Sequence, residues 1–357
     1  MIKRLLREAI DNYLNEIDWE KDFSDVQKEC ISPEDLKDYL NRVIANATKG
    51  YGEREKFSPK MPFIHSKSKL FKGSKVDIED FSKRITQKPN TLIGTNEKML
   101  KSGMPNEFFY KTGVPAFRGI AYDIQKNKFY VINTCPGAGE CRVICYALKG
   151  RYIQYSNSYD LMTRRLNYLL NFPEKYEEQL YDEIKKTCIK HKALKDYESK
   201  VILRWNDSGD FFTKKYVSIA EKVIKRLQAE GFNIFDDAYT KMADVAKSSK
   251  IGSVAFSLGG SKKERSKIDP EKQKISDWVP TELFKGLDLA KLSDKAILKQ
   301  KVADYFNLPL KDIITYAELL RTPENPKKMK WHVLVTPDDG DDAAARKDVK
   351  TILLTQH

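Results

Sequence analysis

The middle of the chain alternates short apolar runs with an amphipathic helix, and this limits the fold more than any other feature of the sequence. Residues 201–205 are mostly apolar over the length of a strand, and residues 216–227 carry apolar side chains three and four positions apart, as on one helical face. Gly231 ends that helix, and residues 232–239 and 251–258 are the next strand-like runs. Strands alternating with helices of this length form parallel βαβ units. The sequence therefore predicts an α/β fold, with a full or partial parallel (β/α) barrel as its simplest closed form.

Outside this region the signals are weaker. Strands are predicted at residues 128–133 and 331–335, and a lysine-rich stretch beyond residue 260 is followed by predicted helices as far as Arg321. A last helix is predicted from Ala343 to near the end of the chain, capped by the acidic turn at residues 338–342.

The composition of the chain changes along its N-terminal part, which predicts three regions. Residues 1–48 have helical periodicity and form a predicted helical extension. Residues 49–91 are predicted to be a basic linker or arm, because residues 49–76 hold eight Lys or Arg and two Glu; a merely solvated loop is the alternative. Residues 92–357 form the predicted barrel-like α/β domain with a metal site.

The composition also excludes some classes of protein and favours one class of partner. With 41% hydrophobic residues the chain can bury a large core, so it is not wholly disordered. No apolar run approaches the roughly 18 residues of a spanning helix, so we expect a cytoplasmic protein without membrane contact. The net charge of +13 favours a nucleic acid or nucleotide, although lysines scattered over a solvated surface give the same total. The oligomeric state is not predicted.

Three cysteines lie close together in residues 133–147, with the sequence NTCPGAGECRVICYA. A predicted strand leads to Cys135, a Pro/Gly loop follows, and Cys141 and Cys145 are four positions apart, so that in a helical turn their thiols share one face. Clustered thiolates bind either tetrahedral zinc or an iron–sulfur cluster. A zinc site needs a fourth ligand, whereas a cubane held by three thiolates leaves one iron open. Three buried cysteines without metal are the remaining alternative.

Four stretches of the sequence together resemble the phage-encoded gene product 88 family. The resemblance covers roughly residues 92–357. It implies a protein that is located in the cytoplasm of a host cell, but it implies no particular reaction. The stretches are CPGAGECRVICYALKGRY, RWNDSGDFF, AYTK and DDGDDAAARKDVKTILLTQH.

A more distant resemblance, to radical S-adenosylmethionine enzymes, implies a chemistry. In that superfamily a three-cysteine loop with a following aromatic residue comes after the first barrel strand, and a motif of small residues and an acid comes after the second. Here the cysteines are spaced C-x5-C-x3-C instead of C-x3-C-x2-C, and Ser-Gly-Asp replaces Gly-Gly-Glu. The resemblance implies a 4Fe-4S cluster on Cys135, Cys141 and Cys145. It also implies an S-adenosylmethionine site formed by Tyr146, Ser208, Gly209, Asp210, Thr240 and Ser257.

Three further residues are predicted to bind substrate, because they lie at or just beyond the ends of predicted strands, where barrel enzymes have their sites. These residues are Arg204, Asp207 and Lys241. The alternatives are that Arg204 pairs with Asp207, that Asp210 caps the next helix, and that Lys241 is a surface lysine.

These observations lead to two functional hypotheses. The first is an iron–sulfur, radical-S-adenosylmethionine-like phage enzyme that acts on nucleic acid or a nucleotide. The second is a non-catalytic nucleic-acid-binding protein in which the cysteine cluster holds a structural zinc.

Overall fold

In the computed structural model, the residues that the structure describes are 18–45, 61–71, 76–148, 152, 154–336, 339–340 and 342–355. Residues 1–17 of the predicted helical extension lie outside them, as does much of the predicted arm. No helix in these ranges is both long and apolar enough to cross a bilayer.

The strands of the described chain are β1 (Lys28–Ile31), β2 (Glu107–Lys111), β3 (Arg118–Asp123), β4 (Lys128–Asn133), β5 (Lys200–Trp205), β6 (Ile234–Thr240), β7 (Ser253–Ser257), β8 (Ile275–Val279), β9 (Ile313–Thr315), β10 (Trp331–Val335) and β11 (Val349–Thr355). The longer helices are α2 (Pro33–Ala45), α3 (Ile78–Ile85), α6 (Ser156–Asn171), α7 (Pro173–Lys190), α8 (Lys214–Ala229) and α12 (Leu292–Phe306). The shorter ones are α1 (Trp19–Asp22), α4 (Glu97–Leu100), α5 (Cys141–Ile144), α9 (Ala243–Ser248), α10 (Lys262–Arg265), α11 (Thr281–Phe284) and α13 (Tyr316–Arg321).

Eight strands form one parallel sheet in the order β2-β5-β6-β7-β8-β11-β10-β9, which confirms the predicted α/β class. No ladder joins the outer strands β2 and β9 within the described ranges, so of the predicted full or partial barrel the closed form is not seen there. Instead, the Asp342 side chain links the chain segments next to these two strands. It accepts a hydrogen bond from the backbone N–H of Gly103, which precedes β2, and another from the hydroxyl of Tyr316, which follows β9.

The core lies on both faces of this sheet. The apolar face predicted for residues 216–227 is the buried face of α8, which packs with α7 against β5 and β6. On other parts of the sheet, α12 packs against β9, and the residues between β10 and β11 contribute Ala343 and Ala344 to a second cluster with Val333.

Two of the predicted elements are wrong, one in its strand pairing and the other in its type of secondary structure. Residues 128–133 form a strand, β4, but it lies between β1 and β3 in a separate antiparallel sheet, since the short turn after β3 folds β4 back onto it. The helix predicted from Ala343 is wrong because β11 lies in that region, hydrogen-bonded between β8 and β10. β-Branched and leucine side chains, buried on both faces of the sheet, favour the strand there.

The described part of the predicted basic linker packs against the N-terminal region. Ile64, Leu70 and Phe71 are buried in one cluster with Leu36 and Leu40 of α2. Helix α3 adds Phe81 and Ile85 to this cluster.

Candidate functional site

Most of the sequence-predicted site residues lie at the carboxyl edge of the parallel sheet. Parallel strands end at the same edge, so the ends of β5, β6 and β7 come together there. The loop after β5 carries Asp207, Ser208 and Asp210, β6 ends at Thr240, and β7 ends at Ser257.

The cysteine loop is fixed across this edge by backbone hydrogen bonds. Ala138 pairs with Gly260 in an antiparallel bridge beyond the end of β7. The N–H groups of Gly139 and Cys141 both donate to the carbonyl oxygen of Gly259, at 3.1 and 3.2 Å. The loop is also tied to the β5 side, since the Asp210 N–H donates to the Thr134 carbonyl at 2.9 Å.

Two glycines allow the loop to approach the sheet so closely. A Cβ on Gly137 would lie 2.3 Å from the carbonyl oxygen of Lys241, and one on Gly139 would lie 2.4 Å from that of Gly260. These contacts are with backbone atoms, which cannot rotate away. The glycines of the loop therefore allow it to pack directly against the ends of β6 and β7.

The three clustered cysteines share one electrostatic environment. Burial raises the pKa of Cys135 far above its usual value, with a further rise from Asp210, and the Lys241 ammonium partly opposes this. Burial also raises the pKa of Cys141, again opposed by Lys241. Burial by itself lowers the pKa of Lys241, but the charges of Asp210 and of the three thiols raise it overall. Lys241 is therefore a cation whose charge interacts with all three thiols, and burial keeps the thiols of Cys135 and Cys141 protonated at neutral pH unless a metal replaces their protons.

No three His, Cys, Asp or Glu side chains in the described part of the chain are arranged around a common point as ligands of one metal ion. Thiols are the donors that an iron–sulfur cluster uses, and the charge of Lys241 interacts with all three of the clustered thiols. Cys135 is buried, and the Phe117 N–H donates a hydrogen bond to its sulfur at 3.3 Å.

Asp210 is fully buried and joins β5 to β6. Its Oδ1 accepts a hydrogen bond from the Thr240 hydroxyl at 2.6 Å, and its Oδ2 accepts one from the Lys241 N–H at 2.8 Å. It is not the cap of the next helix, since the side chain of Thr213 accepts from the first turn of α8. The predicted contact of Asp210 with a methionine ammonium stays a prediction, and it would have to compete with these two donors.

Asp207 and Arg204, which the sequence analysis considered as an ion pair with each other, each have other hydrogen-bond partners in the structure. The Asp207 carboxylate accepts hydrogen bonds from the Lys111 ammonium at the end of β2 and from the Tyr152 hydroxyl. Arg204 is only 3% exposed, and its Nε donates to Asp237 on β6 at 3.1 Å. Arg204 lies within β5, whereas Asp207 lies in the loop after that strand.

The remaining predicted residues differ in how much the structure says of them. Gly209 has a φ of +80°, which a residue with a side chain rarely adopts, so this glycine makes the turn between Ser208 and Asp210. Ser257 is half-buried and precedes the glycines that bind the cysteine loop. Tyr146 begins a 3-10 turn after Cys145, and its side chain lies outside what the structure describes.

Sequence reasoning missed Lys111 and Tyr152. The aromatic run Phe108–Tyr110 is a strand signal that would have placed Lys111 at a strand end. For Tyr152 the sequence offers no local signal, because its contact with Asp207 joins segments 55 positions apart.

Comparison with known proteins finds a family match over the part of the chain that contains this site. No curated protein and no solved structure matches the chain. A family model described as gene product 88 matches residues 85–350, which include the cysteine loop and the ends of β5, β6 and β7. As this match covers well over half of the sequence, the chain belongs to the gene product 88 family.

Proposed function

We propose that this protein is an iron–sulfur enzyme of radical-S-adenosylmethionine type that acts on a nucleotide or nucleic acid. The observation that carries the proposal is the docking of the cysteine loop on the ends of β6 and β7 at the carboxyl edge of a parallel α/β sheet, where the charge of Lys241 interacts with all three of the clustered thiols. Active sites of α/β proteins lie at this edge. The cysteine loop also lies in the connection from β2 to β5, the first two parallel strands along the chain, which supports the same proposal.

The three cysteines are the proposed cluster ligands, and Lys241 is a positioning residue. Its ammonium group favours the ionised thiols, and its backbone N–H is fixed by Asp210. When bound, a cluster with three thiolate ligands supplies an open iron and one electron for cleavage of the sulfonium of S-adenosylmethionine. Ser208, Gly209, Asp210, Thr240, Ser257 and Tyr146 remain the proposed contacts of that cofactor.

Exposed basic side chains beside the cysteine loop support an anionic substrate. Arg142, within α5, is exposed, and so are Lys262 and Lys263 at the start of α10. Helix α10 lies against the loop, since the Ser261 N–H donates to the Gly137 carbonyl at 2.8 Å. Cations in these positions attract phosphate groups towards the edge of the sheet.

Metal analysis after anaerobic purification tests the proposal. We expect bound iron and sulfide, and we expect Cys135→Ala, Cys141→Ala and Cys145→Ala each to lose the iron while circular dichroism shows a folded chain. Cys30→Ala is the matched control, because Cys30 is exposed and lies in β1, outside the loop. Stoichiometric zinc in place of iron, or full iron in any of the three loop variants, would contradict the cluster.

The cofactor needs its own measurement. S-adenosylmethionine is expected to bind the iron-loaded protein in titration calorimetry and not to bind the iron-free chain. Absence of binding at millimolar concentrations to the fully loaded protein would end the radical-enzyme proposal. The cysteines would then have a structural or electron-transfer role.

A further inference from the structure

A small cleft opens beside the cysteine loop. It lies between the segment before β3, the turn after β5 and the start of α6, and its walls include Pro115, Ala116, Leu148 and Tyr159. The side chains with polar groups among its lining residues are Arg118, Tyr152, Tyr159 and Ser208. Its cavity volume is about 30 Å³. This is room for a group of a few atoms, such as a carboxylate or part of a phosphate, and not for a nucleobase or a sugar ring.

Two donors at this cleft are buried and lack a hydrogen-bond acceptor among the described residues. They are the hydroxyl of Ser208, a residue only 3% exposed, and the Nε of Arg118. A buried polar group without a partner costs roughly 1–3 kcal/mol, so such groups are usually satisfied by a ligand or water. An arginine nitrogen can only donate, and the missing partner is therefore an acceptor.

The charges around the cleft favour an acceptor that is an anion. The carboxylate of Asp207, the residue before Ser208, is already neutralised by Lys111 and receives a further hydrogen bond from Tyr152. The other acid close to the guanidinium is Glu29, whose oxygen lies 3.9 Å from an Arg118 terminal nitrogen. Its side chain is 59% exposed, so solvent weakens that attraction. Arg118 therefore brings positive charge to the cleft that these acids offset only in part.

We propose that this cleft binds one oxyanion group of the substrate, a carboxylate or a phosphate, through the Arg118 guanidinium and the Ser208 hydroxyl, which this inference assigns to the substrate in place of S-adenosylmethionine. Guanidinium groups match the planar geometry of such oxyanions, and charge-assisted hydrogen bonds are among the strongest in proteins. Tyr152, which also lines the cleft, is held by the Lys111–Asp207 pair, since its hydroxyl accepts a hydrogen bond from Lys111 at 3.1 Å and donates one to Asp207. The inference rests on the proposed function only in taking the bound oxyanion as part of that enzyme's substrate.

Titration calorimetry at constant ionic strength tests the site, with inorganic phosphate and acetate as separate probes. We expect saturable binding of at least one probe by the full chain, and the preferred probe identifies the group as phosphate or carboxylate. Arg118→Gln should weaken that binding by about 10- to 100-fold, because it removes a charge-assisted contact. Ser208→Ala should weaken it by about threefold to tenfold, because it removes one neutral hydrogen bond.

Arg321→Gln is the matched control, because Arg321 is exposed at the end of α13, next to the opposite edge strand β9. It should bind the probe as the unchanged chain does. Binding of neither probe, or equal affinity of Arg118→Gln and the unchanged chain, would refute the site. Iron content is measured on the same samples, and Arg118→Gln should keep its iron, so that failure of the anion site is separate from failure of the cluster.

Discussion

Replacement of Gly137 by alanine tests how closely the cysteine loop is fixed to the sheet. The new Cβ would lie 2.3 Å from the carbonyl oxygen of Lys241 and 2.7 Å from its carbonyl carbon. Neither backbone atom can move without shifting the end of β6, where the Lys241 N–H is bound by Asp210. Overpacking of this kind costs typically about 1–3 kcal/mol, so we expect the free energy of unfolding to fall by that amount.

The assay for Gly137→Ala is urea unfolding followed by circular dichroism, together with iron content after anaerobic reconstitution. We expect lower iron content as well as lower stability, because displacement of the loop moves Cys135 and Cys141 relative to Lys241. Gly94→Ala is the matched control, since no atom lies within 4 Å of its added Cβ and its φ is outside the left-handed region. It should leave stability within about 1 kcal/mol of the unchanged chain. If Gly137→Ala keeps the stability and iron of the unchanged chain, the close docking of the loop is refuted.

Two further predictions concern the sheet. Burial raises the pKa of Asp236 to about 6, although its oxygens accept hydrogen bonds from Trp205 and from the Gly252 N–H. The folded chain then binds more protons than the unfolded chain between about pH 4 and 6, so the free energy of unfolding should fall as pH rises through that window. Urea unfolding at several pH values should show a smaller fall for Asp236→Asn, and an identical slope would contradict the assignment. In the same assay, Leu353→Ala on the buried strand β11 should lower the free energy of unfolding by about 2–5 kcal/mol. The control Leu292→Ala, at a side chain that is 83% exposed, should change it by less than about 0.5 kcal/mol. Equal effects of the two substitutions would contradict the central place of β11 in the core.

The sequence by itself determined those elements whose signals are local. The buried face of α8 consists of the residues that the helical periodicity predicts, because three- and four-residue spacing puts them on one side whatever surrounds the helix. The strands β5, β6 and β7 are likewise recognisable from short apolar runs bounded by glycine or polar residues. Since parallel strands end at one edge, their order along the chain was enough to predict that residues following β5 and β6 lie near each other.

The tertiary structure alone decided which strands pair with each other and which polar side chains have hydrogen-bond partners. Residues 128–133 are apolar enough for a parallel or an antiparallel strand, and only the return of the chain after β3 makes β4 antiparallel. The segment of β11 became a strand because it completes hydrogen bonds on both sides between β8 and β10, a partnership that no local pattern encodes. For the same reason the partners of Asp207 and Asp210 follow from contacts between segments far apart in the sequence. So does the lack of an acceptor, among the described residues, for the Ser208 hydroxyl and the Arg118 Nε. Packing and hydrogen bonding over such distances depend on the whole fold, whereas periodicity depends only on neighbouring residues.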